Sequence, residues 1–128
     1  MIYIDGSVLL ADLFAEPRPP PETLWEADLV SSRLLAYEVW NRINAYGRMS
    51  SHGDRARALL ARVSLTEMSK SALARAREPF PVAARTLDAL HLATMAFILE
   101  DEPVQLASYD DRLIAAAQAV GIPLAAAL

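Results

Sequence analysis

The chain alternates short apolar runs with longer segments in which apolar positions return every three or four residues. Residues 1–5, "MIYID", form a β-prone run. Residues 7–14 follow with helical spacing, and Ser7 is placed as an N-cap. Residues 16–22, "EPRPPPE", hold four prolines and predict a turn or extended connector, because proline breaks a helix interior. A short helix is expected over residues 22–27, then a second strand at "DLVSS". Ser32 is placed to cap a helix from residue 33 to about 46, which Gly47 ends. Residues 54–62 predict the next helix, with His52 left in a loop before it. "VSLTEM" predicts a third strand and residues 69–77 a further helix. After the two-proline loop "EPFPVAART", Thr86 is placed to cap a helix over residues 87–99. "VQLASY" reads as a strand, residues 110–120 as a helix and "IPLAAA" as a last strand.

Strand and helix alternate along the whole chain, which favours an α/β fold with a parallel sheet and helices on both faces. Neither an internal repeat nor a dividing linker is visible, so residues 1–128 are expected to form a single domain. A hydrophobic fraction of 54% and a charged fraction of 22% fit a globular protein rather than a disordered one. Without cysteine there is no disulfide framework and no thiolate metal site. That composition suits a reducing cytoplasm, the expected location. The longest uncharged stretch, residues 113–128, is broken by Gly121 and Pro123 and is shorter than the roughly 18 residues of a membrane span. The chain does not open on a basic, apolar and small-residue leader, so a soluble protein without membrane association is expected.

A net charge of −4 argues at first against nucleic acid as a partner. The distribution changes that picture. Eleven of the twelve basic residues are arginine, and Arg42, Arg48, Arg55, Arg57 and Arg62 fall in one third of the chain. Arginine suits bidentate phosphate contacts, and a solvated helix face accounts for the same cluster. Trp25, Trp40 and Tyr46 are candidates for stacking on bases.

Four acids occupy unusual places. Asp5 closes the first strand and Asp110 follows the strand "VQLAS". In parallel sheets, ligands gather beyond the carboxyl ends of strands, where strand order reverses. Glu38 projects between Leu34 and Leu35 on its helix, and Asp88 lies in the first turn of the apolar helix "LDALHLATMAFIL". Each has a structural reading. Asp88 complements the helix dipole, Glu38 pairs with Arg42 one turn on, Asp110 caps its helix, and Asp5 turns onto the Ser7 backbone. Together they interrupt apolar segments at element ends or on core-facing flanks. Clustered carboxylates repel one another and are driven to protonate. A hard divalent cation reverses that sign, since Mg²⁺ and Mn²⁺ choose oxygen ligands.

The segments "YIDGSVLL", "SSRLLAYEVWNRI", "TLDALHLATM" and "LASYDDRLIAAA" resemble the four signature segments of PIN-domain ribonucleases, most nearly the VapC-type toxins of type II toxin–antitoxin systems. The resemblance extends over nearly the whole chain, in the family's order. It implies a three-layer α/β/α domain on a central parallel sheet of four to five strands. It places the family's acidic quartet, catalytic and metal-binding, on Asp5, Glu38, Asp88 and Asp110. The supporting hydroxyls fall on Ser7 and Ser108. Gly6 departs from the pattern, where the family commonly carries Thr. Asp111 competes with Asp110 as fourth acid, and "SYD" favours Asp110. The implied activity is hydrolysis of RNA phosphodiesters by water with Mg²⁺ or Mn²⁺. The implied partners are an RNA substrate, a cognate VapB-type antitoxin and a second copy in a homodimer. Leu13, Phe14 and Trp40 are the apolar residues expected to receive one of these proteins.

His91 stands one helical turn from Asp88, and its structural reading is a hydrogen-bonded histidine at the core edge. An aspartyl-phosphate phosphatase or receiver domain fits poorly: Ser7 stands where a second acid belongs, and the sole lysine, Lys70, lies mid-chain. The remaining alternative is a PIN-like interaction module that binds a partner without cutting RNA.

Overall fold

Strands β1 (Ile2–Ile4), β2 (Leu29–Ser32), β3 (Val63–Thr66) and β4 (Gln105–Ala107) form one parallel sheet in the order β3-β2-β1-β4. The computed structural model describes residues 1–126 and 128. A parallel sheet must be covered on both faces, and successive strand residues point to opposite sides. Ile4 and Leu29 accordingly enter one core, while Tyr3, Val30 and Leu106 enter the other.

Helices α1 (Gly6–Leu13), α2 (Leu34–Ala45) and α3 (Met49–Leu60) close the first core with Val8, Leu9, Leu35, Val39, Ile43 and Leu59. Helices α5 (Thr86–Leu99) and α6 (Asp111–Ala119) close the second with Leu92, Met95 and Leu113. Helix α4 (Lys70–Ala76) packs on α5. The result is the three-layer α/β/α arrangement on a four-stranded parallel sheet that the resemblance implies.

Several local expectations are corrected. Asp5, not Ser7, is the residue before α1, and the Ser7 hydroxyl turns to other partners described below. Arg33, not Ser32, takes the cap position of α2, without a side-chain cap hydrogen bond, while Ser32 Oγ accepts the Leu34 N–H at 3.0 Å from one residue further back. Helix α3 begins at Met49, so His52 is helical. Gly53, Ala56 and Leu59 form its buried stripe, and tertiary packing overrides the local loop signal of "SSHGD". Gly47, at φ 62°, supplies the left-handed turn between α2 and α3. Thr86 is already helical and Arg85 takes the cap position. Among the described residues, the expected last strand is reduced to a single parallel bridge, Leu106 to Leu124; Ala127, its last expected residue, lies outside them.

Leu13 is buried in the first core, so it presents no docking surface, and Phe14 and Trp40 are half-buried against that core. Trp25 is buried too, with its indole N–H on Asp12, and is unavailable for base stacking. Among the described residues, no helix is long and apolar enough to cross a membrane.

Strand order reverses between β1 and β4: the chain leaves β1 toward β2 on one side, and β4 lies on the other. Such a reversal opens a crevice at the carboxyl ends of the two strands. Asp5 and residues 108–110 stand at those ends.

Candidate active site

An open cleft of about 1190 Å³ lies at this crevice. Asp5, Ser7, Glu38, Asp88 and Asp110 all line it, together with Asp111 and His91. Four different elements therefore deliver the four acids: the end of β1, the middle of α2, the first turn of α5 and the cap of α6. Ser108 sits just behind, buried, with its Oγ 3.3 Å from Ser7 Oγ.

Asp5 is only 4% exposed. Its Oδ1 accepts a hydrogen bond from the Ser7 hydroxyl at 2.6 Å, a side-chain contact rather than the backbone turn expected. With its proton given to Asp5, Ser7 Oγ accepts the Tyr109 N–H at 2.9 Å. This arrangement leaves Ser108 as donor across the 3.3 Å gap to Ser7, while its own oxygen accepts the Asp110 N–H at 2.9 Å. The two serines thus tie the end of β1 to the loop after β4 and fix the spacing of Asp5 and Asp110. Burial pushes the Asp5 carboxyl up to about 6, against the lowering influence of Ser7 and His91, with the Glu38 charge adding to the rise.

Asp110 caps α6 through Oδ1, which accepts from the N–H groups of Arg112 (3.0 Å) and Leu113 (3.4 Å). Its structural role and its place on the cleft wall coexist, because the cap uses one carboxylate oxygen. Asp88 is raised above its ordinary pKa by burial and then by the charge of Asp110. Asp111 is exposed in the first turn of α6. Among the described residues, no basic side chain forms an ion pair with Asp5, Asp88 or Asp110.

Glu38 does not reach for Arg42. Its Oε1 lies 2.5 Å from His91 Nε2, and the second nitrogen, Nδ1, lies 2.6 Å from the Tyr3 hydroxyl. His91 is 2% exposed and Tyr3 is fully buried. Pairing at this depth is invisible in a single sequence, since it joins residues 53 and 88 positions apart. The sequence signal available was only a histidine one turn from Asp88.

Arg42, Arg85 and Arg112 also line the cleft, so its acidic floor has a basic rim. Arg55 and Arg57 are instead engaged with Asp12 and Asp54, so those two members of the arginine cluster belong to solvated faces.

The donor set is all oxygen apart from His91, the chemistry that hard divalent ions select. Among the described residues, no group of three or more acidic or histidine side chains stands close enough together to hold a metal ion.

The PIN domain family model matches residues 2–124. The chain is similar to ribonuclease VapC46 of Mycobacterium tuberculosis, 32% identical over 98% of this chain and 96% of the relative. It is likewise similar to ribonuclease VapC47 of the same organism, 30% identical over 94% of this chain and 93% of the relative. A match of that extent, on a parallel sheet that brings acids from four elements to its switch point, makes this chain a member of the PIN domain family.

Proposed function

We propose that the chain is a single-domain, metal-dependent endoribonuclease, the toxin of a toxin–antitoxin pair, held in check by a VapB-type antitoxin. The observation that carries this reading is the cleft itself: acids from four elements share one crevice, and the most buried, Asp5, has no ion-pair partner among the described residues. Relatives named as ribonucleases, matched over nearly their full length, support the substrate class.

Asp5, Asp88 and Asp110 are assigned to hold Mg²⁺ or Mn²⁺, directly or through water, with Glu38 as a further ligand or as the base. A divalent ion there supplies positive charge against the phosphate and acidifies water. The chain's own residues do the rest. Ser7 and Ser108 hold Asp5 and Asp110 at fixed separation through their hydrogen bonds. As the base, Glu38 would accept the proton of the attacking water through Oε2, the carboxylate oxygen that His91 does not engage. Arg42, Arg85 and Arg112 take flanking phosphates, so local basic groups rather than net charge recruit RNA. The protein is assigned to the cytoplasm, with a homodimer as its assembled form.

Purified protein is tested on RNA with Mg²⁺ or Mn²⁺ beside Asp5→Asn. Cleavage by the former and its loss in the latter is expected. Two proteins equally inert on every RNA supplied, with both ions, favour the binding-module alternative.

A further inference from the structure

Glu38 is held in its seat by a hydrogen-bond relay that runs from Tyr3 through His91. Tyr3 lies in β1, fully buried, and its oxygen accepts the Ser32 backbone N–H at 3.2 Å. Its own proton then points elsewhere, and the nearest acceptor is His91 Nδ1 at 2.6 Å. An imidazole that accepts at Nδ1 carries its proton at Nε2. That N–H faces Glu38 Oε1 at 2.5 Å.

The other oxygen of Glu38 explains Gly6. A Cβ placed on Gly6 would lie 2.8 Å from Glu38 Oε2, 3.2 Å from Glu38 Cβ and 3.3 Å from Glu38 Cδ. All three nearest atoms belong to Glu38, so the glutamate occupies the space in which any side chain at position 6 would begin. The relay from one side and the missing side chain on the other define a single seat for the carboxylate, next along the chain from Asp5.

We propose that Tyr3, His91 and Gly6 act together as positioning residues for Glu38: Tyr3 sets the imidazole tautomer, His91 Nε2–H grips Oε1, and Gly6 leaves room for Oε2. This deepens the ribonuclease reading and rests on it for its effect on catalysis, although the relay itself is a property of the fold. Partners of this kind orient the groups that contact a metal or substrate, and their removal usually costs about 10- to 100-fold in affinity or activity.

The test uses the full chain and two readouts. Two-dimensional ¹⁵N–¹H correlation of the imidazoles at pH 8 is expected to show His91 as the Nε2–H tautomer, with His52 on α3 as internal control. Tyr3→Phe removes the donor to Nδ1 and is expected to give a mixture of tautomers. Gly6→Ala is expected to shift the His91 Nε2 resonance, although the added methyl meets Glu38 rather than the imidazole. Thermal unfolding is followed for each variant, so that activity is compared only between proteins folded at the assay temperature and a lost activity is not lost folding. On an RNA that the wild type cuts, Gly6→Ala and His91→Phe should each lose about 10- to 100-fold in kcat/KM. The double variant should lose no more than either alone, and His91→Gln, which retains a donor amide, should recover part of the loss. An Nδ1–H tautomer in the wild type, or a His91 resonance indifferent to Gly6→Ala and Tyr3→Phe, overturns the relay. Wild-type cleavage matched by Gly6→Ala and His91→Phe overturns its role in positioning. A wild type that cuts no RNA sinks the ribonuclease reading instead, and the NMR outcomes still decide the relay.

Discussion

Replacing Asp5 with Asn separates what this carboxylate costs the fold from what it contributes to chemistry. Asp5 is 4% exposed, and burial lifts its pKa from 3.8 to about 6. Between those values the folded protein keeps a proton that the unfolded chain has released. Stability therefore falls as pH rises through this window, by about 1.4 kcal/mol per pH unit. Across the interval from 3.8 to about 6 the penalty amounts to about 3 kcal/mol, complete at neutral pH and absent below about pH 4. Asparagine carries no charge and keeps an acceptor for the Ser7 hydroxyl, now 2.6 Å from Asp5 Oδ1. The variant should thus be more stable than wild type by up to about 3 kcal/mol near pH 7.5 in chelator, and equal to it near pH 4. Against a total stability of about 5–15 kcal/mol for a domain, this is readily measured. Urea unfolding followed by circular dichroism, repeated from about pH 4 to 8 with EDTA, reads the gap directly. Adding Mg²⁺ or Mn²⁺ should stabilise the wild type more than the variant and narrow the gap, because a bound ion stabilises only the state that binds it. A variant less stable than wild type at neutral pH in chelator, or a gap that ignores pH, refutes the reasoning. The expected pairing of greater stability with lost cleavage is the trade seen where a strained group is kept for function.

The remaining predictions follow from packing and charge. Leu92, fully buried in the second core, should cost about 2–5 kcal/mol when replaced by Ala; a urea-derived loss below about 1 kcal/mol contradicts the packing described. Asp12 accepts the Trp25 indole N–H at 2.9 Å and the Arg55 guanidinium at 3.0 Å. Asp12→Ala strands a buried donor and should cost about 1–3 kcal/mol with a shift in tryptophan emission. Arg55→Ala removes only an exposed partner and should cost less than about 1 kcal/mol. Arg85→Ala and Arg112→Ala, on the cleft rim, should weaken binding of short RNAs evenly across sequences and flatten its salt dependence, measured by fluorescence anisotropy.

What could be read in advance depended on how far each signal reaches along the chain. The four strands and most helices declare themselves through local periodicity and through punctuation such as "EPRPPPE" and Gly47. The acids stood out because Asp5 and Asp110 mark strand ends, and strand ends are where a parallel sheet keeps its ligands. Local signals failed where tertiary packing decided the outcome. Helix α3 runs through "SSHGD" because Gly53, Ala56 and Leu59 share a buried stripe, and among the described residues the "IPLAAA" segment contributes only one bridge to the sheet.

Glu38, His91 and Gly6 show the same limit within the site. Glu38 and Arg42 are one helical turn apart, so sequence spacing offers them as a pair, and the fold instead gives Glu38 a buried imidazole from α5. Read along the chain, Gly6 is a hydroxyl lost from beside Asp5. Read in space, it is the opening that admits Glu38 Oε2. A threonine at position 6 would bring both a hydroxyl and a Cβ, and the Cβ would contest the seat that His91 and Tyr3 enforce. The consequence of a single residue therefore reverses with its three-dimensional neighbours: in this chain the smallest side chain and the buried histidine are two halves of one arrangement, and substituting either alone disturbs both.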